Sequence, residues 1–401
     1  MSTASRAESS AIMDMLGVAE NVAGTIDPAS LLRALFAAGR GVVRHPIDTS
    51  AAVGRAAVGA GSAWWAAAGR MVGRKSAGPV RAGAGDRRFA DPAFEDNPVY
   101  FWLAQNHLLA ERYVSELIDA AALGEAEDRK ARFVTRFLLD AAAPTNTLLG
   151  NPQALRAAFD SGGKSVVRGL GNWVKDLRHN GGWPKQVDAS GFKVGANMAS
   201  TPGKVVHRTD LIEVLQYQPQ TADVHEIPLL FCPPWINKYY ILDLAPGKSL
   251  IEWAVRHGHT CFTISYRNPD AAMRDVSFED YLMKGPLDAM AVIREITGSP
   301  VVNTVSVCLG GTLSAIGLAY EAREGQKSVN AATFLNAHTD FEIQGILGTF
   351  TDGETFAALE KKMAKVGYLD ARDMARTFDV LRANDLIFSY VVNNWLLGKD
   401  P

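Results

Sequence analysis

The 401-residue sequence lacks the features that mark several common protein classes. Its three cysteines, Cys232, Cys261 and Cys308, do not make a disulfide scaffold, and they suit a reducing compartment. It has no C-x-x-C pair and no His/Cys cluster with zinc spacing, so no metal site is expected. The net charge of −2 provides no basic footprint for nucleic acid.

Long apolar runs are missing as well. No stretch is long and apolar enough to cross a membrane, so no transmembrane segment is expected. The first residues run into polar sequence rather than into the apolar core of a signal peptide. These absences favour a cytoplasmic protein, and the length allows a large core.

One stretch carries the clearest chemical signal. A β-branched run over 301–305 leads into Ser306–Thr312, and a helix-like run of small residues follows over 313–320. This pattern predicts a strand, a sharp turn and a helix, with Cys308 as a nucleophile at the turn. The helix N-terminus would favour the thiolate, and the N–H of Leu309 would form half of an oxyanion hole. A buried, inert cysteine is the alternative interpretation.

Changes in composition and periodicity divide the chain into four segments. Residues 1–87 are rich in Ala and Gly and are interpreted as a low-order tail and linker, with short Ala-rich helices or a surface-seeking stretch (Trp64, Trp65, Arg70) as alternatives. Residues 88–200 show helical spacing, 201–340 alternate strands with helices, and 341–401 resemble a helical, aromatic-rich cap. The sequence therefore predicts an α/β-hydrolase fold, with a mainly parallel sheet, preceded by a helical N-terminal domain.

Further segments stand out in order along the chain. They are Asp91–Pro98, Ala143–Asn146, Thr201–Val206, Pro233–Leu244, Asn268–Asp270 and Tyr390–Asn394. Together with the elbow they resemble the class I polyhydroxyalkanoate (poly-3-hydroxybutyrate) synthases over about residues 88–401. The resemblance implies an acyltransferase that moves (R)-3-hydroxyacyl groups from coenzyme A to a growing polyester through a thioester on Cys308. It implies no cofactor besides the acyl-CoA substrate.

The resemblance also implies the rest of the site. The loop after the first buried strand would supply the second oxyanion N–H, from Trp235 or Ile236, as oxyanion holes of this fold require. Ser306 stands where the family usually has Gly, so some strain is expected in the turn. The family's catalytic Asp and His lie beyond residue 401, so the chain is expected to be C-terminally incomplete and nearly inactive alone.

Two polar residues could support the site from within the chain. His338 is the only histidine after Cys308, but Asp340, two residues on, would point to the wrong side of an extended chain to orient it. His338 is therefore expected to support the site or face solvent rather than act as the base. Asp270 is expected to form a turn, with an active-site role as the alternative.

The resemblance implies a cytoplasmic homodimer associated with the surface of polyester granules. Two other functions stay open at this point. One is a thioesterase or another α/β-hydrolase, which would release free acid. The other is a catalytically incomplete homologue that only binds the granule or a synthase partner.

Overall fold

The computed structural model describes residues 28–342 and 345–401, so the first part of the predicted tail lies outside the described residues. These residues form two compact units. The first contains residues 28–188, 345–362 and 372–401, and the second contains 189–342 and 363–371.

The first unit is helical. Its α-helices before residue 188 are α1 (Pro28–Arg44), α2 (Pro46–Met71), α3 (Ala93–Asp96), α4 (Pro98–Ala120), α5 (Glu125–Ala141), α6 (Pro152–Asp160) and α7 (Lys164–His179). Asn97 and Asn151 cap α4 and α6 by accepting hydrogen bonds from backbone N–H groups of the first turn, and a proline follows each cap. The helical character predicted for the N-terminal domain is confirmed.

The helices α1 and α2 are longer than the short helices expected from an Ala- and Gly-rich stretch. Their small residues allow close packing: a Cβ on Gly59 would lie 2.6 Å from the Leu109 side chain of α4. The guanidinium of Arg70 lies 3.3 Å from the centre of the Phe101 ring and is held within the unit. Trp64 and Trp65, in contrast, are 55% and 72% exposed. Trp64 and Trp65 are therefore exposed, as a surface-seeking stretch requires, whereas Arg70 is bound within the unit.

Most of the aromatic-rich segment after residue 345 belongs to the first unit, and its residues 363–371 belong to the second. It contains the helices α12 (Gly353–Val366) and α13 (Ala371–Leu381), followed by the π-helical turns Asn384–Phe388 and Val391–Leu396. Val380, Ala383 and Ile387 form a buried cluster with Leu31 of α1 and Phe133 of α5. Apolar side chains of the segment that was predicted as a cap therefore pack against helices of the N-terminal domain.

The second unit is built on a six-stranded sheet. Its strands are β1 (Gly203–Arg208), β2 (Ile212–Tyr217), β3 (Leu229–Cys232), β6 (Cys261–Tyr266), β7 (Val302–Val307) and β8 (Val329–Leu335), and β4 (Asp243–Ala245) pairs separately with β5 (Lys248–Ser249). The order is β1-β2-β6-β3-β7-β8. The first two pairings are antiparallel, and β6, β3, β7 and β8 are parallel. The predicted α/β-hydrolase fold is confirmed.

Helices connect the parallel strands. They are α8 (Leu250–Arg256), α9 (Phe278–Leu282), α10 (Asp288–Thr297) and α11 (Leu309–Arg323). The sequence predicts one continuous helix over 278–296, and this prediction is wrong. The helix breaks at Gly285, whose φ and ψ are −97° and −108°, because the next residue, Pro286, has no N–H to donate and clashes with the preceding turn.

The arrangement of β3 and β7 positions the predicted site. Both are central strands, and Cys232 of β3 lies opposite Ser306 of β7 in parallel register. Parallel neighbours end at the same edge of a sheet. The loop after Cys232 and the turn after Val307 therefore leave the sheet side by side, where ligands bind in open α/β sheets.

The first turn of α11 packs so closely on the end of β3 that residue 310 must be glycine. A Cβ on Gly310 would lie 2.2 Å from the Cys232 carbonyl oxygen and 2.7 Å from that of Pro233. We predict that Gly310→Ala lowers the free energy of unfolding by about 2–3 kcal/mol, because backbone atoms cannot move aside cheaply. Urea denaturation measures this loss.

Gly317→Ala is the matched control in the same helix. A Cβ there would lie no closer than 3.4 Å to the Leu282 side chain, which is an ordinary contact. Ala is a better helix former than Gly, so this variant should be unchanged or more stable by up to about 1 kcal/mol. Equal losses in the two variants would show that the close approach at residue 310 does not matter.

Candidate active site

Cys308 occupies a strained position between β7 and α11. It is the N-cap residue of α11, its φ and ψ are 53° and −123°, and its side chain is exposed. A residue other than glycine rarely adopts a positive φ, and such strain concentrates at functional sites. The thiol therefore stands at the N-terminus of a 15-residue helix, where the helix dipole favours a negative charge.

The backbone around Cys308 is fixed on both sides. The Cys308 N–H donates to the Leu335 carbonyl at the end of β8, at 3.0 Å. The Cys308 carbonyl accepts from the N–H groups of Gly311 and Thr312, at 2.9 and 3.1 Å. The turn is thus held by the neighbouring strand and by the first turn of its own helix.

Ser306 does not carry the strain expected where the family usually has glycine. It is a regular residue of β7, fully buried, and its hydroxyl donates to the Ser314 hydroxyl of α11 at 2.8 Å. This hydrogen bond ties the strand before Cys308 to the helix after it. The backbone strain lies at Cys308 itself.

The backbone donors predicted for an oxyanion are near this turn. Leu309 is the first residue of α11, so its N–H has no partner within the helix. Trp235 and Ile236 lie in the bend that follows β3 and the buried pair Pro233-Pro234. Among the hydrogen bonds of residues 28–342 and 345–401, none is donated by the N–H of Leu309, Trp235 or Ile236. All three donors are therefore available to a ligand.

An aromatic cluster holds the loop after β3. The Trp235 ring lies 5.3 Å from the ring of Tyr281, 5.9 Å from that of Phe278 and 6.3 Å from that of Tyr266. These edge-on and tilted contacts anchor the side chain on α9 and β6. Fixing the side chain also fixes the backbone N–H groups of the loop.

His338 lies beside the first turn of α11. Its carbonyl accepts a hydrogen bond from the Thr312 hydroxyl at 2.7 Å. The elbow motif includes Thr312 as its last residue, but the sequence does not predict this hydrogen bond. The imidazole is exposed, and its Nδ1 donates to the backbone carbonyl of Asp340 at 2.9 Å.

The carboxylate of Asp340 does not orient the His338 ring. It accepts instead from the N–H of Glu342 at 2.9 Å. Among the described residues, no side chain hydrogen-bonds the thiol of Cys308. His338 is thus near the elbow through its backbone, without the carboxylate support that activates a catalytic histidine.

Asp270 is engaged in a turn. Its Oδ1 accepts from the Ala272 N–H at 2.9 Å, and its Oδ2 accepts from Arg267 at 2.6 Å. The hydrogen bond from Arg267 is the main cause that lowers the Asp270 pKa. Both carboxylate oxygens of Asp270 stabilise the turn after β6. Neither is hydrogen-bonded to Cys308.

The other two cysteines differ chemically from Cys308. Cys232 and Cys261 are buried in β3 and β6. Burial raises the pKa of the Cys232 thiol to about 11 and that of Cys261 to about 12. Both stay protonated at neutral pH and are poor nucleophiles.

Two kinds of feature were searched for among the described residues and not found, a metal site and a membrane-spanning helix. Within the described ranges, no group of three or more His, Cys, Asp or Glu side chains is placed to hold a metal ion. A membrane-spanning helix, long and apolar enough to cross a bilayer, is likewise not found among these residues.

Comparison with known proteins places the chain in one family. Residues 85–254 match the family model described as poly-beta-hydroxybutyrate polymerase (PhaC) N-terminus. A poly(3-hydroxyalkanoate) polymerase of Methylorubrum extorquens is 42% identical over 341 residues, which cover 84% of this chain and 56% of that protein. The PhaC subunit of the poly(3-hydroxyalkanoate) polymerase of Cupriavidus necator is 40% identical over 321 residues, covering 79% and 54%.

A more distant likeness exists among solved structures. A chain from a study of two fungal esterases of Rhizomucor miehei is 17% identical and covers 69% of this chain and 71% of that one, with a TM-score of 0.28, too low to bear on fold or function. The chain spans about half the length of the curated relatives it matches. Over that part, the chain belongs to the poly(3-hydroxyalkanoate) polymerase family.

Proposed function

We propose that this chain carries the nucleophile of a polyester synthase, which transfers (R)-3-hydroxyacyl groups from coenzyme A to a growing polyhydroxyalkanoate. One observation carries the proposal: the exposed thiol of Cys308 stands at a strained turn, at the N-terminus of α11. The named relatives are poly(3-hydroxyalkanoate) polymerases, which supports the same chemistry.

The chemistry would take two steps at one sulfur. The Cys308 thiolate attacks the thioester carbonyl of the acyl-CoA, the tetrahedral oxyanion forms, and its collapse releases coenzyme A as a thiolate that takes up a proton. The hydroxyl of a second unit then loses its proton and attacks the Cys308 thioester; the ester bond forms as the C–S bond breaks and the Cys308 thiolate is released. In this proposal, the N–H groups of Leu309 and of Trp235 or Ile236 would stabilise the oxyanion in each step. Neither step needs a cofactor.

The thiolate is favoured by its position rather than by a base in the described residues. The helix N-terminus lowers the cost of the negative charge on sulfur, so a first acylation can proceed slowly. General-base help is typically worth about 10²–10⁴-fold. Without an oriented histidine, the second step, in which a hydroxyl must lose its proton, would be the slow one.

We predict that Cys308 is the acyl carrier. Incubation of the 401-residue chain with (R)-3-hydroxybutyryl-CoA should add one hydroxybutyryl group, and peptide mass spectrometry should locate it on Cys308. The Cys308→Ala variant should take up no acyl group. An adduct that persists in this variant would rule out the assignment.

The buried cysteines supply the controls for that experiment. Cys232→Ser and Cys261→Ser should keep the adduct on Cys308 and lose stability instead, because each places a hydroxyl in a buried strand. Release of free 3-hydroxybutyrate without an adduct in any variant would favour a thioesterase.

We predict that the 401-residue chain releases about one equivalent of coenzyme A and then stops, at a rate below one hundredth of that of a full-length relative. His338→Ala should leave this single release unchanged, because the His338 ring has no carboxylate partner. Thiol titration with a chromogenic disulfide measures the release. Sustained release that disappears in His338→Ala would make His338 the base.

We also propose that the protein associates with the surface of polyester granules in the cytoplasm, as a homodimer. One face of α2 supports the surface contact, because large apolar side chains are exposed there while small residues such as Ala63 and Ala66 face the unit. The exposed set is Ile47 (83%), Val58 (75%), Trp64 (55%), Trp65 (72%) and Met71 (73%). The edge strand β8, with Phe334 41% exposed, is a surface that a second copy could cover.

We predict that the double variant Trp64→Ala/Trp65→Ala weakens binding to polyhydroxybutyrate particles at least fivefold, because the two rings supply the largest exposed apolar area of α2. Co-sedimentation with the particles measures the partition. Trp253→Ala is the matched control, since this ring is 54% exposed in the other unit. An equal loss in the control would mean that any exposed tryptophan serves.

A further inference from the structure

The helix α7 packs on the helical unit through small and polar residues. Asp176 is buried and accepts hydrogen bonds from the Trp395 indole N–H at 2.8 Å and from the Lys185 N–H at 3.2 Å. A Cβ on Gly169 would lie 1.9 Å from the Trp395 carbonyl oxygen, so the helix backbone lies directly against the turn Val391–Leu396. A surface helix normally turns its apolar side to the core. In α7 the inward side is polar instead.

The apolar side of α7 is exposed to solvent. Its members follow one another at spacings of four, three and four residues, so they form one stripe along the helix. They are Val166 (36% exposed), Leu170 (58%), Trp173 (42%) and Leu177 (55%), and Val167 (72%) lies at the edge of the stripe. A partner that covers the stripe would therefore remove a row of apolar side chains from water.

The remaining exposed side of α7 is positively charged. It carries Lys164, Arg168, Lys175 and Arg178, and none of the four forms an ion pair among the described residues. The acidic residue of α7 is Asp176, which is buried. The exposed surface of α7 thus combines an apolar stripe with four cations and no carboxylate. Helices of this kind lie in the interface of an anionic lipid layer, with the apolar side chains inserted and Lys and Arg at the headgroups.

The cations of α2 are engaged, unlike those of α7. Arg55 pairs with Glu116 at 2.9 Å, and the Arg70 guanidinium lies over the Phe101 ring. The exposed apolar side of α2 therefore offers little positive charge to a partner, which suits an uncharged polyester. The two helices differ in the charge of the surface that they favour.

We propose that α7 is a docking site for an anionic phospholipid surface. Leu170 and Trp173 would insert between the lipid chains, and Arg168 and Lys175 would pair with phosphate groups of the headgroups. An acidic protein helix would need carboxylates at matching spacings, whereas a lipid layer presents mobile phosphates to every cation. The proposal concerns a different helix and a different ligand from the polyester contact of α2, and it does not depend on Cys308.

Co-sedimentation of the 401-residue chain with phospholipid vesicles tests the proposal. Vesicles of phosphatidylglycerol mixed equally with phosphatidylcholine should bind the chain about tenfold more tightly than vesicles of phosphatidylcholine alone. The preference should shrink as salt is added, because salt screens the contact between cations and headgroups. The double variant Arg168→Glu/Lys175→Glu should lower the affinity for the anionic vesicles about tenfold, whereas the exchange Arg168→Lys/Lys175→Arg should leave it within about twofold.

The charge reversal has a matched control on another helix. Lys361 and Lys365 of α12 are exposed, and that helix also carries the acidic residues Glu354 and Glu360. Lys361→Glu/Lys365→Glu makes the same change of charge, yet it should alter the affinity by less than about twofold. If Arg168→Glu/Lys175→Glu lowers the melting temperature of the chain, the apolar variants decide the question.

The apolar stripe has a control matched in spacing and exposure. Leu170→Ala/Trp173→Ala should weaken binding to the anionic vesicles about fivefold. Val99 and Trp102 of α4 are also three residues apart, and they are 57% and 41% exposed against 58% and 42% for the α7 pair. Val99→Ala/Trp102→Ala should leave the affinity within about twofold, because α4 lacks the row of unpaired cations.

Three results would overturn the proposal. The first is equal affinity for the neutral and the anionic vesicles. The second is an equal loss in Leu170→Ala/Trp173→Ala and in its control, which would indicate unspecific adhesion of exposed apolar residues. The third is tighter binding of an amphipathic peptide rich in Leu and Glu, weakened by Arg168→Glu/Lys175→Glu, which would make α7 a protein-docking helix. Polyester particles and Trp64→Ala/Trp65→Ala test the contact of α2 separately, so either proposal can fail alone.

Discussion

The contact between the first turn of α11 and the end of β3 is the constraint on which the candidate site depends. Because residue 310 has no side chain, the helix backbone reaches the Cys232 and Pro233 carbonyls. The chain must therefore turn sharply between Val307 and Leu309, and Cys308 takes up a φ of 53°. The same contact brings the first turn of α11 to Pro233, which precedes the loop that carries Trp235. The position of the proposed nucleophile thus follows from one packing requirement.

The strain of this turn is balanced by bonds around it. A non-glycine residue in such a conformation costs about 1–3 kcal/mol. The buried Ser306–Ser314 hydrogen bond and the Cys308–Leu335 backbone bond each contribute about 1 kcal/mol, so together they offset much of that cost. Serine is tolerated at position 306 because its hydroxyl hydrogen-bonds a hydroxyl of α11. That partner lies outside residues 306–312, so the motif alone does not reveal it.

Local signals in the sequence predicted most of the hydrolase-like unit. A β-branched run marks β7, continuous apolar-rich runs mark β3 and β6, and the elbow motif singles out Cys308. Two features escaped this reasoning. The break at Gly285-Pro286 had a local signal, a proline inside a helical run, that was read as part of one helix. The role of the Thr312 hydroxyl had none, because its partner, the His338 carbonyl, is 26 residues away.

The helical unit was harder to predict because its stabilising contacts are distant in sequence. Glycines lower the intrinsic helix propensity of α2, and this weakens its prediction from sequence. In the folded unit, the same glycines let α2 pack closely on α4, and that contact stabilises the helix. Arg88 gathers carboxylates from residues 86, 111 and 140, and no spacing rule links these positions. Only the folded unit brings these three carboxylates together around one guanidinium.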